Sequence, residues 1–125
     1  MLDIFRVSVP WGVVRVESTG TGGDIPEIDP VVSPVEANET CVVAGVVHGD
    51  IDEVEISVGH EGDSLEGVRV YEGLLSCPNG EVEVADLVGE DFCRKFSVQP
   101  GVVRLEVAMD DPEEAQKLFL RFTQG

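Results

Sequence analysis

The sequence predicts an all-β protein, an antiparallel β-sandwich of about eight or nine short strands with at most one short helical turn near the C-terminus. Short runs in which apolar and polar residues alternate with a period of two recur along the chain. Clusters of Gly, Pro and Asn separate these runs roughly every eight to twelve residues. A chain of 125 residues is long enough to bury a hydrophobic core, so residues 1–125 are expected to form a single domain.

The first part of the chain contains two strand-like runs and then changes composition. Leu2–Val9 and Gly12–Ser18 are expected to pair with each other around Pro10-Trp11-Gly12, where the lone tryptophan either covers one end of the core or anchors an interface. Residues 19–38 hold three prolines and three glycines and predict a long surface loop. Three valines are candidates for attaching this loop to the core: Val31, Val32 and Val35.

Four further strands are predicted in the middle of the chain. Thr40–His48 is apolar on both faces, as expected of a central strand, whereas Glu53–Val58 alternates and places its acids toward solvent. Val68–Cys77 and Glu81–Asp86 flank Asn79-Gly80, a strong signal for a type I′ hairpin.

The last part of the chain is predicted to contain a hairpin and a closing strand. Phe96–Met109 alternates on both sides of Gln99-Pro100-Gly101, which indicates two antiparallel strands. Asp111, followed by a proline and two acids, resembles a helix start, so we expect one helical turn near 112–116 and then a strand from Lys117 to Thr123. Four side chains are expected at the centre of the core: Val103, Leu105, Val107 and Met109.

The order of these motifs resembles a group of small, largely uncharacterised bacterial proteins, chiefly actinobacterial. The matching segments are Cys41–Val58, Leu74–Gly80, Val98–Val107, Asp110–Ala115 and Leu118–Phe122. That group is distantly similar to the competence-associated inhibitor of a DNA-entry nuclease, and related architecture occurs among acidic immunity-type proteins. The resemblance implies a β-sandwich over residues 40–123. It implies no functional residue, because the matching motifs are turns and strand patterns.

The charge of the chain excludes several classes of partner. It carries 25 acids against 8 bases, a formal net charge of −17. Such a surface repels the nucleic-acid backbone and anionic lipid, so neither nucleic acid nor membrane is an expected partner. The chain opens with Met1-Leu2-Asp3, unlike a signal peptide, and its three cysteines are widely spaced, which together favour a cytoplasmic protein with reduced thiols.

The acids are unevenly distributed, and this distribution predicts the candidate site. Residues 19–68 hold twelve Asp and Glu residues but neither Lys nor Arg. We therefore expect a non-enzymatic protein-binding module that docks on a basic protein, as an inhibitor or immunity-type protein would. The candidate acidic interaction surface comprises Asp50, Asp52, Glu53, Glu55, Glu61, Asp63 and Glu66.

Two alternatives to a binding surface stay open. The acids could simply keep a structural module of no dedicated partner soluble. Calcium could bind at residues 49–55 or 110–114, although neither segment has the glycine and terminal glutamate of an EF-hand loop.

The sequence favours no catalytic site and no cofactor. His48 and His60 lie beside glycines in loop-like positions, where surface histidines are common. Cys41 and Cys77 are expected to be structural, and Cys93 is the one thiol with bases beside it. Neither a nucleophile elbow nor a phosphate-binding glycine loop is present in the sequence.

Overall fold

A computed structural model describes residues 2–21, 25–27 and 33–124, which form ten β-strands in two five-stranded sheets. The prediction of an all-β sandwich is confirmed, with ten strands in place of eight or nine. Sheet A has the order β1-β5-β10-β9-β6, and sheet B has the order β3-β4-β2-β7-β8. The strands are β1 (Asp3–Val7), β2 (Val13–Ser18), β3 (Val35–Ala37), β4 (Cys41–Gly45), β5 (Val54–His60), β6 (Val68–Cys77), β7 (Glu81–Asp86), β8 (Cys93–Ser97), β9 (Gly101–Met109) and β10 (Lys117–Gln124).

The main core lies between the two sheets. The inward side chains of β9 are at most 3% exposed, which confirms the predicted core positions Val103, Leu105, Val107 and Met109. β4 is buried along its whole length, as predicted for a central strand. Its Val42 and Ala44 join the main core, whereas its Cys41 and Val43 pack on the other face of sheet B in a second apolar cluster.

Several predicted strand pairs are wrong, because the connecting turns lead from one sheet to the other. β1 and β2 were predicted to pair but lie in different sheets, and the same holds for β6 with β7 and for β8 with β9. The hairpins among the described residues are β3–β4, β7–β8 and β9–β10. Two successive strands alternate in the same way whether they pair within one sheet or face each other from opposite sheets. The sequence pattern therefore did not distinguish the two arrangements.

The turn at Asn79-Gly80 shows why the hairpin prediction failed. A type I′ turn needs positive φ at both central residues. Here Gly80 has a φ of 69°, and Asn79 is not among the described residues with positive φ. The Gly80 N–H donates to the Cys77 carbonyl oxygen at 3.1 Å, and the Val98 N–H donates to the Gly80 carbonyl oxygen at 3.0 Å. The Asn79-Gly80 turn and the connection between β8 and β9 therefore lie side by side at one end of the sandwich.

The C-terminal segment forms the predicted strand but not the predicted helical turn. Residues 110–116, all of which the structure describes, contain no helix, so the expectation of a helical turn near 112–116 is wrong. The Asp110 carboxylate instead accepts the N–H groups of Asp111, Gln116 and Lys117 at 2.9–3.1 Å and holds an open loop. β10 then inserts between β9, to which it is antiparallel, and β5, to which it is parallel.

The segment predicted as a long surface loop contains a short strand. Residues 35–37 form β3 at the edge of sheet B, so the loop prediction is wrong for them, and Val35 is buried as its apolar character indicated. Val31 and Val32 lie outside the described residues. Within the described part of the chain, no helix has the length and apolar character needed to cross a membrane.

The outer face of sheet A is covered at its centre by paired charges. Glu106 of β9 is only 5% exposed. Its carboxylate accepts hydrogen bonds from the Arg121 guanidinium at 2.7–2.8 Å and forms an ion pair with Arg69 at 2.8 Å. Arg121 also donates to the Asp63 carbonyl oxygen at 2.9 Å, which ties the loop after β5 onto this face. β9 is therefore buried on both sides from Leu105 to Met109, although its alternation predicted one wet face.

Candidate functional site

The seven candidate acids fall into two groups at the two ends of β5, with Glu55 between them. Asp50, Asp52 and Glu53 precede β5, whereas Glu61, Asp63 and Glu66 follow it. A strand of seven residues spans roughly 20 Å, so β5 separates the two groups. Glu55 lies on β5 between them.

The acids after β5 are accompanied by bases from the end of the chain. The loop of residues 61–67 folds back on the outer face of sheet A, where Asp63 and Glu66 line a depression of about 240 Å³ together with Lys117 and Arg121. Glu55 lines the same depression and has Arg6 and Lys117 as its register neighbours on β1 and β10. This half of the predicted surface lies in a segment of the sequence without Lys or Arg, but in the folded protein Arg6, Lys117 and Arg121 lie next to it.

The acids before β5 belong to an end of the sandwich that is held together by backbone hydrogen bonds. The Val46 N–H donates to the Gly12 carbonyl oxygen at 2.8 Å, and the Gly49 N–H donates to the Val9 carbonyl oxygen at 2.9 Å. These bonds join residues 46–53 to the turn that connects β1 and β2.

Two more loops meet at this end. The Val47 N–H donates to the Ala115 carbonyl oxygen at 2.9 Å, which brings in the loop of residues 110–116. Residues 87–92 follow β7 where it pairs with the start of β2, and the buried Asp86 carboxylate accepts their Asp91 and Phe92 N–H groups at 3.2 Å. We call the four segments 8–12, 46–53, 87–92 and 110–116 the Trp11 end.

The Trp11 end carries nine carboxylates and neither Lys nor Arg in its four segments. Every one of these acidic residues is exposed. Only three of them were predicted as site residues, and the others were missed because residues 87–92 and 110–116 lie far from the base-free segment in the sequence. The nine are Asp50, Asp52, Glu53, Glu90, Asp91, Asp110, Asp111, Glu113 and Glu114.

Trp11 stands out in this acidic surface because it is exposed and held in an unusual backbone conformation. Trp11 is 74% exposed, so of the two alternatives for this residue the one in which it covers the core is wrong. Its φ of 61° and ψ of 1° are close to those of the third residue of a type II turn, a position that usually holds glycine, with proline before it. Such a conformation costs a non-glycine residue roughly 1–3 kcal/mol.

The surroundings of Trp11 are partly apolar. Ile51 and Val88, in the neighbouring loops of the Trp11 end, are 71% and 64% exposed. A depression of about 550 Å³ lies beside the indole, and its walls include Pro10, Trp11, His48, Gly49, Asp50 and Asp91. The Asp50 N–H donates to His48 Nδ1 at 3.1 Å, so the histidine helps to fix the loop that carries Asp50.

The two histidines lie at different places. His48 belongs to the Trp11 end, whereas the Nδ1 atom of His60 is 2.9 Å from the Glu61 carbonyl oxygen after β5. The described residues contain no group of three or more His, Cys, Asp or Glu side chains placed to hold a metal ion. Several acids proposed for calcium bind the backbone instead: Asp52 accepts the Glu53 N–H at 2.7 Å, and Asp111 accepts the Glu113 N–H at 2.9 Å.

The cysteines differ in exposure and none has a lowered pKa. Cys41 and Cys77 are buried, as predicted for structural residues, and burial raises the pKa of Cys41 to about 12 and that of Cys77 above its ordinary value. Cys93 is exposed, but partial desolvation and the Glu83 carboxylate, 3.5 Å from the sulfur, raise the pKa of its thiol. The neighbouring bases therefore do not activate it.

We expect a thiol reagent to modify Cys93 alone in the folded protein. A raised pKa leaves less thiolate at pH 7 than in an unperturbed cysteine, so the reaction with an aromatic disulfide should be slower than with a free cysteine peptide and should accelerate as the pH rises toward the thiol pKa. Mass spectrometry of intact protein and of peptides would count and locate the modified thiols. Fast modification at neutral pH, or modification of Cys41 before Cys93, would contradict this expectation.

Comparison with known proteins gives a likeness of fold. No protein-family model matches the chain, and no curated protein matches it significantly. Among solved structures, it is similar to ComJ from Bacillus subtilis, which is described as an inhibitor of the DNA-degrading activity of NucA. The TM-score is 0.74 with 7% sequence identity, over 98% of this chain and 96% of that chain. The resemblance to the competence-associated nuclease inhibitor is thus confirmed at the level of the fold.

Proposed function

We propose that this chain is a non-enzymatic binding protein that docks on a basic protein through the Trp11 end and inhibits it. The observation that carries the proposal is the concentration of nine exposed carboxylates, without Lys or Arg, on four loops held together at one end of the sandwich. Such a surface attracts a basic partner and steers its approach.

A DNA-degrading enzyme is the class of partner that fits best. Its DNA-binding groove must be positively charged to hold a phosphate backbone. A surface of closely spaced carboxylates can occupy such a groove in place of DNA and so block the substrate. The fold is shared with ComJ, itself described as an inhibitor of a DNA-degrading activity, which supports this class of partner.

The test begins with capture of the partner by the tagged chain from the cells that produce it, at 0.05 M and 0.5 M salt. We expect a basic protein that is retained at low salt and released at high salt, because salt screens exposed charges. Addition of the purified chain should then suppress the DNA-degrading activity of that partner in proportion to the amount bound. A salt-insensitive partner without net positive charge, or a bound nuclease that stays fully active, would contradict the proposal.

Two triple variants test whether the Trp11 end is the docking surface. The first variant replaces three glutamates by glutamine and so removes three exposed charges from the Trp11 end: Glu90, Glu113 and Glu114. The matched control replaces Glu39, Glu61 and Glu66, which are equally exposed but lie elsewhere. At 0.05 M salt we expect the first variant to weaken binding of the captured partner roughly tenfold and the control less than about threefold. Equal effects would place the docking surface elsewhere.

A further inference from the structure

The depression beside Trp11 offers an unusual combination of groups. The exposed Trp11 lines it on one side, and Asp50 and Asp91 line the same depression. The depression, of about 550 Å³, is open to solvent and large enough to admit a side chain of a partner. The site therefore presents an aromatic face and negative charge to whatever enters it.

The position of each wall is fixed by the backbone around it. The turn of Pro10–Gly12 is anchored by the hydrogen bond from Val46 to Gly12, and a Cβ atom on Gly12 would lie 2.7 Å from the Val46 carbonyl oxygen. Asp50 is held by His48, and Asp91 is held by the buried carboxylate of Asp86. The backbone that carries Trp11, Asp50 and Asp91 is thus fixed by the fold.

The chemistry selects one kind of ligand. Two carboxylates repel phosphates and other anions and attract cations, and the basic partner of the proposed function supplies cationic side chains. A guanidinium group is planar, stacks on an aromatic face and directs several N–H donors at carboxylates, whereas an ammonium group offers a compact charge without a plane to stack. Arginine can stack its plane on the indole and bond to the acids at the same time, whereas lysine offers the indole a point charge without a stacked plane.

We propose that the depression beside Trp11 is an arginine-binding site, in which the guanidinium of a partner arginine stacks on the Trp11 indole and bonds to Asp50 and Asp91. This inference rests on the proposed function, since it names the side chain through which a basic partner is recognised. The surrounding carboxylates of the Trp11 end then attract the partner, and the arginine site holds it.

The test uses two octapeptides with four arginines or four lysines, alternating with glycine, at 0.05 M salt. Trp11 is the one tryptophan of the chain, so its emission reports directly on the site. We expect the arginine peptide to change the emission in a saturable manner and to bind roughly three- to tenfold more tightly than the lysine peptide. Equal affinities of the two peptides would overturn the proposal.

Two matched double variants locate the binding. Asp50→Asn with Asp91→Asn should weaken the arginine peptide at least about fivefold, because both hydrogen-bonded charge partners are lost. Glu61→Gln with Glu66→Gln removes the same charge outside the site and should change the affinity less than about twofold. An equal loss of affinity in the two double variants would mean that the peptide responds only to the overall charge of the protein, and it would overturn the assignment.

Trp11→Gly provides a third measurement that does not depend on the carboxylates. The turn conformation suits glycine, so the variant should fold and melt at the same temperature or higher, and calorimetry replaces fluorescence as the readout. We expect it to bind the two peptides equally; a preserved preference for arginine would overturn the role of the indole. The peptide tests need no captured partner, so failure of the arginine site alone leaves the docking proposal standing, and failure of the capture alone leaves the arginine site standing.

Discussion

Replacement of Leu105 by alanine is expected to lower the free energy of unfolding by about 2–5 kcal/mol. Leu105 is fully buried on β9, and its side chain lies in the main core between the sheets. Removing it leaves a cavity between two sheets that are each held by a hydrogen-bonded ladder, so the surroundings can relax only partly. Urea denaturation followed by circular dichroism would measure the change.

Val102→Ala, on the same strand, is the control for this substitution. Val102 is 50% exposed and should lose less than about 1 kcal/mol. If Leu105→Ala costs no more than Val102→Ala, the packing of sheet A against sheet B is not as described.

Replacement of Glu106 by glutamine is expected to lower the free energy of unfolding by about 1–3 kcal/mol. Glutamine keeps the size of the side chain but removes the charge that pairs with Arg121 and Arg69, and Arg121 is itself largely covered, with 22% of its side chain exposed. The loss should persist in 0.5 M salt, because a buried pair is poorly screened.

Glu72→Gln is the control for Glu106→Gln, because it removes the charge of an ion pair that is exposed to solvent. The Glu72 carboxylate contacts Arg69 at 3.1 Å and Arg104 at 3.0 Å, but its side chain is 38% exposed. We expect a loss below about 1 kcal/mol that disappears in high salt. A Glu106→Gln effect as small and as salt-sensitive as that of Glu72→Gln would show that the outer face of sheet A is open to solvent.

The positions of most strands could be predicted from the sequence. β6 and β7 have the bounds that alternation and turn residues indicated, Val68–Cys77 and Glu81–Asp86, and β10 begins at Lys117 as expected. These are local properties: the period of the side chains and the backbone preferences of Gly, Pro and Asn. The three-residue strand β3 was missed because it is short and lies within a proline-rich segment.

The pairing of the strands could not be predicted, because it depends on contacts between distant residues. Asn79-Gly80 and Gln99-Pro100-Gly101 both form turns, but each turn leads to the opposite sheet. The buried state of Glu106 was missed for the same reason, since its partner Arg121 comes from β10 and is known only once the register of the sheet is known.

The candidate site was predicted in part. Counting charges along the chain identified Asp50, Asp52 and Glu53 but grouped them with acids that β5 carries to another place. The acids at 90–91 and 110–114 join the Trp11 end through the fold alone. The left-handed backbone conformation of Trp11 is one that its proline and glycine neighbours permit but do not require, so it could not be predicted from them.

The placement of β10 has a consequence for the order in which the protein folds. β10 lies between β5 and β9, and its partner residues on β5 are separated from it by about 60 residues of chain. Without β10, sheet A consists of two separate strand pairs, β1 with β5 and β9 with β6. β5 and β9 therefore each keep one edge unpaired until β10, which is synthesised after them, is added. We therefore expect completion of this sheet to be a late and slow step of folding, during which those edges are open to wrong pairing.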